Sequence, residues 1–437
     1  MNVFKAILLG ILLSGMLFSQ STDEKIASAQ TLIESKEFEQ AEQLLTEAIS
    51  HDPSYAPVLF KLAQVYLYMG NMDQAEANFR LAIDFDPENK EYRDEFDRVN
   101  EINSVMSEGQ RSLNSNELDE AYLTFQKVLD QFPFFANAAY NMGGIKIRQK
   151  EYDTAIEDFT KALEINPGFQ NAQSAIATVV KNTFNDGNTL YRRGDLEGAL
   201  EAYNKVIEYD ATFYQACYQI GVISTRMGDV DQAIDYYQKA LDVSPTFYKG
   251  WYALGLAQKK ISDSEGAMQS LQKALDINPT YARAYSVMGE ILLNKQEFEK
   301  AIEKFQMAIS VDPSYTKAYE NLGITFVKIE NWNDAITQLE LAVQFNAKSL
   351  NGWYHLAMVY NKTQDCENAL RCARRAIDIK QNYSPALIEQ GVAYWCNGKG
   401  DKTRALNSIE KARNDSRWRR VAEYEIDRIK NPEKYEE

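Results

Sequence analysis

Apolar and polar positions follow one pattern again and again along most of this chain. In one stretch Tyr285, Met288, Gly289 and Leu292 stand at i, i+3, i+4 and i+7, and beyond a polar break Ala301, Phe305 and Ala308 continue with similar spacing. Each set is one face of an amphipathic helix, so the stretch predicts a helix, a short turn and a second helix. The pattern has a clock: Pro53 to Pro87, Pro133 to Pro167, Pro245 to Pro279 and Pro279 to Pro313 are each 34 residues apart. With proline set at place 32 of a 34-residue unit, place 8 is Ala63, Gly109, Gly143, Gly187, Gly221, Gly255, Gly289 and Gly323, and place 20 is alanine from Ala41 to Ala369. Small residues recur where two helices approach closely. One such hairpin is too small to bury its own apolar face, which predicts an all-α fold, a right-handed α-solenoid of stacked helix-turn-helix 34-residue repeats.

Turn chemistry agrees. Met69-Gly70-Asn71, Arg193-Gly194-Asp195 and Met227-Gly228-Asp229 place glycine where a first helix ends and a capping Asn or Asp before the second. Asp52-Pro53, Asp86-Pro87, Asn278-Pro279 and Asp312-Pro313 are read as starting the next helix, with proline in its first turn.

Trp251, Leu254, Gly255, Ala267, Leu271, Ala274 and Pro279, and likewise Leu62, Ala63, Tyr66, Ala75, Phe79, Ala82 and Pro87, resemble the motif of the tetratricopeptide repeat family. The resemblance extends over nearly all of the chain after the first 21 residues. It implies a scaffold that binds protein or peptide, without implying which one.

The clock breaks twice. Pro87 to Pro133 spans 46 residues and Pro167 to Ala211, where Ala takes the proline place, spans 44. The extra pieces, near Tyr92 to Asn103 and Gln170 to Lys181, look helical, and either lengthen the next helix or form separate caps. The expected organisation is a leader at 1–21, two units with an insert at 22–101, two more with an insert at 102–177, six to seven units at 178–414, and a C-terminal capping helix and tail at 415–437. Residues 1–21 combine one basic residue, Lys5, with the apolar run Ala6 to Phe18 and small residues at Ser19 to Ser21. This reads as a secretory signal peptide, hence an exported protein, periplasmic or extracellular, with no transmembrane span after its removal.

A formal net charge of -16 repels phosphate backbones, so no nucleic-acid partner is expected. Oligomeric state is not readable. Neither histidine, His51 or His355, has a partner at metal-ligand spacing, and no phosphate loop or nucleophile motif is present. The expectation is no catalytic residue, no cofactor and no metal, with His355 a lone surface residue; the chain is not read as an enzyme.

Function then falls to the stripe at places 2, 5, 9, 12 and 13 of each first helix, which in the resembled family lines the concave groove. Place 5 carries Tyr140, Phe184, Tyr218, Tyr252, Ser286, Glu320 and Tyr354, and place 13 carries Arg148, Arg192, Arg226, Lys260, Asn294, Lys328 and Lys362. Place 9 carries Val222, Leu256, Ile324, Met358 and Val392, interrupted by Glu290. Aromatic, basic and aliphatic rows side by side favour a peptide with apolar side chains and some acidic groups. The chaperone-binding carboxylate clamp of the resembled family needs Lys and Asn where Tyr218 and Val222 stand, so that ligand class is disfavoured. The competing expectation is a structural spacer or oligomerisation arm acting through the convex face or the ends, or an accessory subunit of an envelope enzyme complex. Of four cysteines, Cys217 sits at an apolar place, and Cys366 and Cys396 flank antiparallel helices where a disulfide is proposed, with Cys372 the rival partner.

Overall fold

The structure is a computed structural model that describes residues 21–396 and 400–435, and among these it contains 23 α-helices and no strand. Apart from Ser21, the expected signal peptide lies outside the described residues. No helix among the described residues is long and apolar enough to cross a membrane. The chain divides into two compact units at Ala211 and Thr212.

The first unit begins with the hairpins α1 (Thr22–Glu34) and α2 (Phe38–His51), then α3 (Ala56–Tyr68) and α4 (Met72–Phe85). It continues with α5 (Lys90–Asn114) and α6 (Leu118–Gln131), α7 (Ala136–Gln149) and α8 (Tyr152–Ile165), and α9 (Gln170–Arg193) and α10 (Leu196–Tyr209). The second unit holds α11 (Tyr214–Met227), α12 (Val230–Val243), α13 (Tyr248–Lys260), α14 (Ser264–Ile277), α15 (Ala282–Asn294) and α16 (Phe298–Val311). After them come α17 (Thr316–Lys328), α18 (Trp332–Phe345), α19 (Leu350–Lys362), α20 (Cys366–Ile379), α21 (Ser384–Trp395), α22 (Lys402–Ala412) and α23 (Arg419–Lys430).

The recurring glycine is explained by a ring. A Cβ on Gly109, Gly143, Gly187, Gly221 or Gly289 would lie 2.6 to 2.7 Å from an aromatic carbon of Phe125, Phe159, Tyr203, Tyr237 or Phe305, at place 24 of the same hairpin. These five rings are at most 3% exposed, so the missing side chain is what lets the two helices close over them. The hairpin turn has its own requirement. Place 15 is left-handed in each of the first ten hairpins: Gly70, Gly194 and Gly228 take this conformation without strain, whereas Lys36, Asn116, Lys150, Ser262, Gln296, Glu330 and Gln364 adopt it with a Cβ. Asn71, Asp195 and Asp229 then cap the second helix by accepting from the backbone N–H three residues on.

The backbone corrects one expectation and decides between two alternatives left open. The clock prolines do not start the next helix: α3 and α17 begin three residues after Pro53 and Pro313. Instead Asp52 and Asp312 accept from the backbone N–H and hydroxyl of Ser54 and Ser314, closing a turn in which proline's missing N–H costs nothing. The inserts are helix extensions, since α5 and α9 run 25 and 24 residues without a break. The division points expected at 101/102 and 177/178 therefore fall inside helices.

Within the first unit the long helices bring distant turns onto later hairpins. The Asn137 amide donates to the Gly70 carbonyl at 3.1 Å, Tyr68 meets Phe134 edge-on with centroids 5.2 Å apart, and the Lys36 ammonium donates to the Glu164 carbonyl. Asp153 likewise accepts from Lys205 at 3.0 Å and from the Tyr209 hydroxyl.

Candidate partner-binding face

In the second unit successive first helices touch one another, so α11, α13, α15, α17, α19 and α21 form the inner face of that stack. Side chains stitch them together. Glu290 on α15 accepts from Asn321 on α17 at 3.0 Å and pairs with Lys259 on α13, while Asn361 on α19 donates to the Glu389 carboxylate on α21 at 2.8 Å. The break in the aliphatic row at Glu290 is therefore an inter-repeat clasp.

The place 5 aromatics are not an exposed ladder. Tyr218, Tyr252 and Tyr354 are half-buried and pack edge-on against Phe247, Tyr281 and Tyr383 at centroid distances of 5.1, 5.0 and 5.9 Å. Each partner is the residue just before the next hairpin. Desolvation accordingly raises the Tyr252 and Tyr354 hydroxyls well above the usual tyrosine range. Where place 5 is Glu320 the partner is Ser349, and the ring contact becomes a 2.8 Å hydrogen bond from the serine hydroxyl to the buried carboxylate. In the first unit Tyr140 packs in the same manner on Phe169 at 5.4 Å, and Phe184 lies 5.4 Å from the ring of Tyr203.

Place 9 is half-buried at Val222, Ile324, Met358 and Val392 and exposed at Leu256. It forms a shallow aliphatic floor rather than a projecting ridge. Place 13 is exposed at Arg148, Arg192, Arg226, Lys260, Lys328 and Lys362. Sequence reasoning passed over a second cationic row. Lys249, Arg283 and Lys317 stand exposed at place 2, across the floor from place 13, and Lys259 is half-buried at place 12. The stripe geometry already included those places, and reading their residue types would have found the row.

Across α11, α13, α15, α17 and α19 the stripe thus carries eight cations against two carboxylates, Glu290 and Glu320, both of them bonded to neighbouring hairpins. The contrast with the rest of the chain is large. Residues 21–211 hold 34 acidic and 17 basic residues, and residues 212–437 hold 29 of each. The second unit is neutral overall, and eight of its 29 basic residues stand on the inner stripe of α11 to α19 against those two carboxylates.

In the first unit the comparable face is partly covered by its own chain. The turn at Met69 to Asn71 lies over Asn137, Tyr140 and Asn141 and leaves only an open depression of about 510 Å³.

His355 is half-buried on α19, with Nδ1 2.8 Å from the Asn351 carbonyl, and burial lowers its pKa. At the C-terminal end Trp418 meets Tyr354 edge-on at 6.2 Å. Burial there, aided by the Glu425 carboxylate, pushes Glu389 up to about 7, while Asn361, Lys362 and Arg428 act to lower it. Cys366, at the start of α20, is bonded to Cys396 at the end of α21, with Cα atoms 5.7 Å apart. Cys372 and Cys217 are free and buried, and burial raises the Cys372 thiol to about 12. No group of three or more His, Cys, Asp or Glu among the described residues could hold a metal.

Family profiles described as tetratricopeptide repeat or TPR repeat match residues 32–94, 136–169, 187–228, 214–247, 248–281, 289–330 and 350–383, together more than half of the chain. The chain belongs to the tetratricopeptide repeat family. It is 26% identical over 156 residues to a DnaJ homolog subfamily C member 7 homolog of Dictyostelium discoideum, covering 35% of this chain and 29% of that protein. It is 28% identical over 174 residues to a TPR repeat-containing protein of Methanocaldococcus jannaschii, covering 38% and 29%. The chain thus spans less than a third of the length of either relative. Among solved structures, the C-terminal part of a TPR repeat-containing protein from Cytophaga hutchinsonii aligns at 18% identity and a TM-score of 0.45, covering 55% of this chain and 97% of that one.

Proposed function

We propose that this protein is a non-catalytic interaction scaffold of the cell envelope, and that the inner face of its second unit holds an acidic, partly apolar segment of another protein. The observation that carries the reading is the arrangement of eight cations around a shallow aliphatic floor in a unit of zero net charge. Cationic rows on both sides favour carboxylates and speed encounter, while Val222, Leu256, Ile324 and Met358 favour apolar side chains between them. A folded or extended polypeptide can supply both. Nucleic acid would supply phosphates but not an aliphatic surface, and the chain as a whole repels it. The Cys366–Cys396 bond supports a location outside the reducing cytoplasm, periplasmic or extracellular.

Fluorescence polarisation with a labelled peptide of alternating Asp, Leu and Phe, against a Lys-for-Asp control, tests the reading. The acidic peptide should bind, its affinity should fall with salt, and Lys260→Glu with Lys328→Glu should weaken it at least about tenfold. Equal binding of both peptides, or indifference to the two reversals, would sink it. Tyr252→Ala is a poor probe, because Tyr252 packs on Tyr281 and its loss disturbs the stack itself.

A further inference from the structure

The chemistry that the inner face selects is present on the chain's own first unit. Near the end of α4, Leu81 and Phe85 are 43% and 51% exposed, two large apolar side chains one helical turn apart. Asp84 stands between them and Glu88 follows, both exposed, with Asp86 half-buried beside them. Leu81, Asp84 and Phe85 keep the i, i+3 and i+4 spacing of one face of the helix, and Glu88 follows in the turn after it. This is an acidic apolar knob on a unit that carries twice as many acidic as basic residues.

We infer that this protein self-associates head to tail, the α4 knob of one copy seating on the inner face of the second unit of another. The inference rests on the reading of that face given above. Leu81 and Phe85 would cover the exposed Leu256 and the floor beside it, while Asp84 and Glu88 meet the cationic rows at Lys260 and Lys328. Charge complementarity argues for a second copy: the chain concentrates its net negative charge in residues 21–211 and a cationic face in residues 212–437. Since donor and acceptor surfaces differ, the contact is heterologous and each copy offers one of each.

Sedimentation velocity of the full chain over a range of concentrations, at low and at physiological salt, tests this. The expected result is a mass that rises with concentration and falls with salt. Lys260→Glu with Lys328→Glu, Asp84→Lys with Glu88→Lys, and Leu81→Asp with Phe85→Asp should each weaken association at least about tenfold. All six positions are solvent-facing, and circular dichroism melts should show each variant folded. Mixing the first two variants, each defective alone, should restore association, because each now carries the charge the other lacks. A monomer at every concentration, or association indifferent to the swaps, overturns the inference. A monomeric chain that still binds the acidic peptide overturns self-association alone, whereas loss of peptide binding as well overturns the reading beneath it.

Discussion

Glu290→Gln separates the two roles of the inner face, because it should weaken the fold and strengthen binding at once. Glu290 and Lys259 are 26% and 28% exposed at their side chains, and Glu290 also accepts from Asn321 at 3.0 Å. Glutamine keeps the shape and one carbonyl acceptor, so what is lost is charge attraction across a partly desolvated contact. Between the small value of an exposed pair and the larger cost of orphaning a buried one, about 1–2 kcal/mol is expected. The same change removes one of only two carboxylates among eight cations. At about 8 Å and water-like screening, one unit charge is worth about 0.3–0.5 kcal/mol to an incoming carboxylate, or roughly a twofold gain. Urea denaturation measures the first effect and fluorescence polarisation with the acidic peptide the second. If affinity falls instead of rising, the charge argument for the face is wrong, and if stability is unchanged, Glu290 is not a clasp.

Ser262→Gly should stabilise the second unit by about 1 kcal/mol, since Ser262 holds φ at 67° at the end of α13 where glycine is strain-free; a lower urea midpoint would contradict this. Glu389 has its folded pKa raised from 4.5 to about 7, so its stabilising contribution is complete below 4.5 and is lost as pH rises through 7. Glu389→Gln should therefore flatten stability between pH 4.5 and 7 and exceed wild type at pH 8 by at most about 3 kcal/mol, as read by thermal melts across that range. Replacing Cys366 and Cys396 by serine opens a loop with a sequence separation of 30, which should cost about 3–4 kcal/mol under oxidising conditions and nothing under strong reductant.

Much of the fold was legible because it depends on period and residue size. Place 8 and place 20 are small wherever a ring or helix must come close, and the ring at Phe305 explains Gly289 directly. The turn between repeats was misread at Pro53 and Pro313, since an Asx turn and a helix start share the same Asp-Pro letters. Whether Tyr92 to Asn103 extended a helix or formed a cap was not legible, because both solutions satisfy the same apolar spacing. At the candidate site, residue identity at each place was readable but exposure was not. The ring at Tyr252 is half-buried only because Tyr281 arrives from the next hairpin, and Glu320 is buried only because Ser349 does. Covering of the Tyr140 region by the turn at Gly70 depends on the path of α5, which no local pattern encodes.

Amine-acetylation footprinting of the full chain with and without bound acidic peptide tests the central claim most directly. Lys249, Lys260, Lys317 and Lys328, on the first helices of the second unit, should be protected, while Lys239, Lys273 and Lys300, on its second helices, should react as before. Protection of the second set, with the first left reactive, would contradict the account.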